Sequence, residues 1–250
     1  MRESRFWRVP DAELRESADG AVTLSGYGAV YMRYSQNLGG FVEQITARAF
    51  NDVLGRTGPG ANVQGLVNHD PNWLLADTAS GTMRLESDEV GLRYAMDLDL
   101  TDPDAVRAMA KVRTRKMRGS SFSFTVAPGG DDWALTEQGF PLRTIRSFAG
   151  LFDVGPVGSP AYLDTEGDGL ALALRSLADT RNVSLGSVLD AARRNELRTM
   201  LADLVDTDEV IESPVAVGDE EPVDEVAEAQ HAGPVVDHNR TRIVFGLPTT

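Results

Sequence analysis

The chain contains no cysteine. Thiol nucleophiles, disulfide staples and cysteine-ligated zinc are excluded, and the composition is compatible with a reducing cytoplasm. Histidine is scarce as well, with three in all. His231 and His238 lie in an acidic stretch with little apolar content, which leaves His69 alone in the part of the chain that can fold. A metal site, which needs several nitrogen or sulfur ligands, is therefore not expected, and neither is a bound cofactor. No apolar run approaches membrane-spanning length, so no membrane partner is expected. Met1–Trp7 lacks the apolar core of a secretory signal. There is no phosphate-cradling glycine loop, no internal repeat and no Gly-x-Ser-x-Gly elbow, the last absence arguing against an α/β-hydrolase. Positive charge is in deficit, and a net charge of −14 argues against specific nucleic-acid binding.

What is present is enough for one sizeable core with a smaller appendage in 250 residues. Residues 1–20 are polar and without clear periodicity, which predicts a flexible arm. Residues 21–165 carry short apolar runs and turn signals, and form the main domain. Residues 166–205 read as a helical extension. Residues 206–250 are acidic, with no Lys or Arg between Asp206 and Gln230, and are expected to be disordered. The basic run Lys111–Arg118 reads as the solvated C-terminal end of a helix.

Strands are expected over Ala21–Tyr31, Phe41–Glu43, Val63–His69, Thr82–Glu86, Gly91–Leu98, Gly119–Phe124 and Leu151–Val157. Ile45, Ala49, Phe50 and Val53 have helical spacing in a segment ending at Gly55. Thr57–Gly60 and Gly158–Tyr162 read as turns. Asp102-Pro103-Asp104 is a helix start, with a capping residue, proline in the first turn and acid near the N-terminus. A second helix is expected from a capping box at Ser187–Asp190 through Leu204, with one apolar face. Arg242–Gly246 reads as a short docking segment.

The chemistry centres on Gly119-Ser120-Ser121-Phe122-Ser123-Phe124. Period-two alternation puts Phe122 and Phe124 on one face and Ser121 and Ser123 on the other. A serine acts as a nucleophile only with a base and an orienting group. His69, at the end of an apolar strand, is the candidate base, although a lone histidine on its own reads more readily as a partly buried, hydrogen-bonded loop residue than as a catalytic one. Asp153, inside the apolar run Leu151–Val157, fits either an outward-facing charge or a carboxylate that holds an imidazole in one tautomer.

These residues carry a resemblance. In order along residues 21–165, the segment from Glu43 to Phe50, Leu66-Val67-Asn68-His69-Asp70, Ser80–Leu85, Gly91-Leu92, Gly119–Phe124, Leu151-Phe152-Asp153-Val154 and Ser159–Tyr162 resemble the serine-type prohead maturation proteases of tailed phages, relatives of herpesvirus assemblin. The family pattern of Gly, any residue, Ser, then an apolar residue selects Ser121 over Ser120 and Ser123. Its histidine falls on His69. Its third member, usually Glu, falls on Asp153, one methylene shorter, and Gly155 stands where the family commonly has Ser.

The resemblance implies an α+β fold, with an antiparallel β-barrel core surrounded by helices in the manner of herpesvirus proteases. It implies a serine endopeptidase with catalytic His69, Ser121 and Asp153. Its partners would be the major capsid protein and scaffold segments as substrates, and the chain itself through autoproteolysis or a homo-oligomer. Its place would be the immature capsid in the cytoplasm of the bacterial host. The alternative is a non-catalytic scaffold or assembly protein that binds the capsid protein through its C-terminal helix and acidic tail.

Overall fold

A computed structural model describes residues 2–7, 12–55, 62–158 and 168–202. In chain order these form β1 (Glu3–Trp7), β2 (Glu13–Glu16), β3 (Val22–Val30), β4 (Val42–Ile45), α1 (Asn51–Gly55), β5 (Gln64–Leu66), β6 (Leu74–Asp77), β7 (Met83–Ser87), β8 (Gly91–Leu98), α2 (Pro103–Arg113), β9 (Gly119–Val126), β10 (Asp131–Leu135), β11 (Pro141–Ile145), β12 (Phe148–Val157), α3 (Asp168–Arg181), α4 (Leu185–Arg193) and α5 (Leu197–Ala202). The chain divides into two units, Met1–Glu209 and Val210–Thr250. The turns expected at Thr57–Gly60 and Ser159–Tyr162, the acidic tail and the Arg242–Gly246 segment lie outside the described residues.

The fold is mixed α+β, mostly sheet, but its described strands do not close into the expected barrel. They form three separate sheets, ordered β1-β9-β12-β5-β6, β10-β11-β4 and β2-β3-β8-β7. The main core lies between the first and third sheets. Phe50, Phe122, Phe124 and Phe148 are fully buried there, with Phe50 stacked on Phe148 at a centroid separation of 4.4 Å. A second core joins Phe41 and Trp133 to apolar residues of α3, α4 and α5.

Several elements follow from local chemistry. The Asp102 side chain accepts a bond from the Asp104 amide at 2.9 Å, starting α2 at Pro103, and Lys111 and Arg113 sit in its last turn. The later helix differs from expectation. Its cap is Ser184, which accepts from the Ser187 amide at 3.1 Å, and the helix breaks before α5 where Asn195 adopts φ 56°. Ile45, expected in a helix, ends β4, and only Asn51–Gly55 is helical in that segment.

The expected arm over residues 1–20 instead supplies β1 and β2. Strand β1 adds to the edge of β9 in antiparallel register, with Arg5 opposite Phe122 and Phe6 opposite Ser121. Its inward residues are Glu3 and Arg5, both buried. They are buried because they are paired with opposite charges, so the segment shows no apolar periodicity to read.

On the other side of β9, β12 runs antiparallel to it and parallel to β5. The approach to β5 is close: a Cβ on Gly155 would lie 2.0 Å from the Leu66 carbonyl oxygen. Gly155→Ala should therefore prise β5 from β12 and cost about 3 kcal/mol or more, read as a loss of unfolding free energy in urea titration.

Candidate active site

His69 follows β5 in a short hydrogen-bonded loop. The Asp70 amide donates to the Val67 carbonyl at 3.0 Å, Trp73 to Asp70 at 2.9 Å, and Val67 to Trp73 at 3.1 Å. Asn68 and His69 both adopt the left-handed conformation, φ 54° and 58°. This is uncommon for residues with a Cβ and persists only where surroundings hold it. Asn68 is held twice by the end of β12: its amide donates to the Pro156 carbonyl at 3.2 Å, and its side-chain oxygen accepts from the Gly158 amide at 3.0 Å. The reversal turns the imidazole back over the sheet.

Ser121 lies on β9 opposite Gly155, and Asp153 lies on β12 opposite Ser123. Leu151 and Asp153 have the same parity and would share a face on a regular strand. A bulge between them breaks the alternation: Leu151 pairs with Phe124 and Asp153 with Ser123. Directly opposed residues share a face, so Leu151 turns into the aromatic core while Asp153 joins the serines. The outward-facing reading of Asp153 fails, since the residue is 5% exposed.

The three side chains meet. His69 Nδ1 is 2.5 Å from Asp153 Oδ1, and His69 Nε2 is 2.6 Å from Ser121 Oγ. With Nδ1 protonated toward the carboxylate, Nε2 presents a lone pair to the hydroxyl.

Two contacts were not anticipated from sequence. Ser123 donates its hydroxyl hydrogen to Asp153 Oδ2, so both oxygens of the buried carboxylate are bonded. The Ser-x-Ser spacing, which puts both hydroxyls on one face, was the available signal. The second contact comes from β1: Ser121 Oγ donates to the Arg5 carbonyl at 2.8 Å. No side-chain pattern announces a backbone acceptor.

Behind β1 lies a buried charge network. Arg5 Nε donates to Glu43 Oε1 at 3.0 Å, and Arg143 NH1 donates to Glu3 at 2.8 Å and to Glu43 at 2.9 Å. Arg143 Nε donates to Asp131 at 2.5 Å, and that carboxylate also accepts from Ser176 of α3 at 2.7 Å. Burial works against charge on Arg143, but the carboxylates of Glu3 and Glu43 outweigh it, and the guanidinium is held above its ordinary range. Burial likewise pushes the Glu3 carboxyl up, while Arg143 and Arg5 more than offset this and hold it below its ordinary value.

The family model of the caudovirus prohead serine proteases matches residues 10–182. The chain belongs to that family. Membership makes it a serine protease of the tailed-phage prohead, acting in capsid maturation. Among solved structures, the capsid assembly protease gp21 of bacteriophage T4 is similar to this prohead protease, with a TM-score of 0.42 and 10% identity over 64% of this chain and 98% of that one. No curated protein matches the chain. Among the described residues of the protease, no three His, Asp or Glu side chains cluster as metal ligands, and no helix is long and apolar enough to cross a membrane.

The network predicts a pH signature. The folded pKa of Glu3 lies below the unfolded one, so its stabilising contribution is present above the unfolded value of 4.5 and is lost as pH falls through the folded value. Glu3→Gln leaves Arg143 and Arg5 short of a carboxylate and should cost about 3 kcal/mol near neutrality. That deficit against wild type should stay flat from about pH 8 to 6 and shrink below about pH 4, as measured by urea unfolding across pH.

Proposed function

We propose that the protein is a serine endopeptidase in which Ser121 is the nucleophile, His69 the general base and Asp153 the orienting carboxylate. It would cut capsid-protein and scaffold segments inside the prohead, and itself. The observation that carries this reading is the unbroken hydrogen-bonded line from Ser121 Oγ through both imidazole nitrogens to Asp153, with separations of 2.6 and 2.5 Å.

In this reading Ser121 Oγ attacks the scissile carbonyl carbon while its proton passes to His69 Nε2. The imidazolium that forms is stabilised by Asp153, whose second oxygen stays occupied by Ser123. His69 then gives the proton to the departing amine as the peptide C–N bond breaks. A water, deprotonated by the same nitrogen, hydrolyses the acyl-enzyme and restores the serine.

Substrate access requires a rearrangement of β1. Ser121 is 2% exposed, and the Arg5 carbonyl competes with His69 for its one hydroxyl proton. A substrate strand that reaches Ser121 takes the place of β1 along β9, where free backbone groups would pair with it.

Ser121→Ala and His69→Ala should each lower kcat/KM by about four orders of magnitude with melting temperatures near wild type. Asp153→Ala should cost about a hundredfold and Ser123→Ala about tenfold, in coexpression with capsid protein and in peptide assays. A wild-type chain that leaves coexpressed capsid protein and itself intact would support the assembly-protein reading instead.

The segment beyond the helices is proposed to deliver the enzyme. Because α3, α4 and α5 pack on Phe41 and Trp133, the informative truncation is after Ala202. Peptide cleavage should survive it, whereas incorporation into coexpressed procapsids should fall, as followed by sedimentation of the particles.

A further inference from the structure

The charges behind β1 clasp the strand through its side chains. Glu3 and Arg5 stand two apart on one strand, so their side chains share a face. On the receiving side, Arg143 takes the Glu3 carboxylate through two nitrogens at 2.8 and 3.2 Å, and Glu43 takes Arg5 Nε at 3.0 Å. Arg143 and Glu43 are themselves 1% and 0% exposed, and Asp131 fixes Arg143 from behind. If β1 leaves, Arg143 keeps Glu43 and Asp131, and Glu43 keeps Arg143, but each loses the further charge that Glu3 or Arg5 supplies. Stripping a buried ion of one of its partners is costly, so a strand that replaces β1 is favoured when it returns the same two charges. The register adds where the cut falls. The carbonyl that meets Ser121 Oγ belongs to Arg5, the residue whose side chain Glu43 reads. On the far side of that peptide bond, Phe6 lies over Gly119, where a Cβ would be 2.2 Å from its ring.

We propose that Glu43 and Arg143 determine the specificity of the protease, selecting segments with an acidic residue two positions before a basic one and directing cleavage to the bond after the basic residue. This rests on Ser121 being the nucleophile; the charge selection itself does not. β1 is then a resident copy of the preferred segment, and an incoming substrate competes with it for the same two side chains.

The test uses the full chain carrying Arg5→Ala and Ser121→Ala, which loosens β1 and blocks cutting. Binding of fluorescein-labelled Arg-Glu-Ser-Arg-Phe-Trp is compared by polarisation with the charge-exchanged Arg-Lys-Ser-Glu-Phe-Trp. The first should bind about thirtyfold tighter, and adding Glu43→Gln should reduce the difference to about threefold or less. Equal binding of the two peptides, or a preference that Glu43→Gln leaves intact, overturns the proposal. In parallel, the wild-type chain is given a mixed peptide library and its products are sequenced. Cuts should cluster after Lys or Arg preceded two positions earlier by Asp or Glu. Cuts that ignore charge overturn the proposal while leaving Ser121 as nucleophile. Charge-selective binding with no cutting refutes the nucleophile and the cut position, and leaves the selection by Glu43 and Arg143 standing. A variant that does not fold leaves the library as the deciding measurement, and a wild-type chain that cuts nothing in that case counts against the proposal.

Discussion

The position of β12 between β9 and β5 is the constraint on which the site depends. Ser121 stands on one neighbour, His69 follows the other, and Asp153 comes from β12 itself. Three residues far apart in sequence are thereby brought to one place, and the left-handed reversal at Asn68 and His69 carries the imidazole into hydrogen-bond reach. The bulge before Asp153 is the local device that makes this work, because it sends one carboxylate to the serine face without turning Leu151 out of the core. A bulge of this kind re-aims a side chain that the regular pleat would direct elsewhere.

The aromatic core and the site are opposite faces of the same two strands. Phe122 and Phe124 anchor β9 from below while Ser121 and Ser123 project above. The stacking of Phe122 on Phe124, at 4.9 Å between centroids, fixes the plane from which both hydroxyls leave the backbone. Packing energy on one side thus becomes positional accuracy on the other.

Much of this was legible in the sequence, for reasons that differ by residue. The strand around Ser121 announces itself by alternation, α2 by its cap and proline, and His69 by being alone in the folding part of the chain. The face of Asp153 was not legible, because parity is the only sequence signal for a face and a bulge erases it. Strand β1 was hidden for another reason: its inward residues are Glu and Arg, which read as solvent-exposed until the facing Glu43 and Arg143 are seen. Sheet closure was equally out of reach, since strand count does not say which edges pair. Ser123 reads from the alternation as a hydroxyl on the right face, but its acceptor comes from a strand some thirty residues on.

The glycine at 155 has a consequence for where His69 stands. With no side chain at 155, the Leu66 backbone comes to a distance that any Cβ would forbid. The loop bearing His69 leaves β5 at that residue, and its Asn68 amide is bonded to the Pro156 carbonyl at 3.2 Å. A side chain at 155 would push on both attachments at once. The spacing between the histidine loop and the strand that carries Asp153 is thus set by an empty position, tuned by what the chain leaves out.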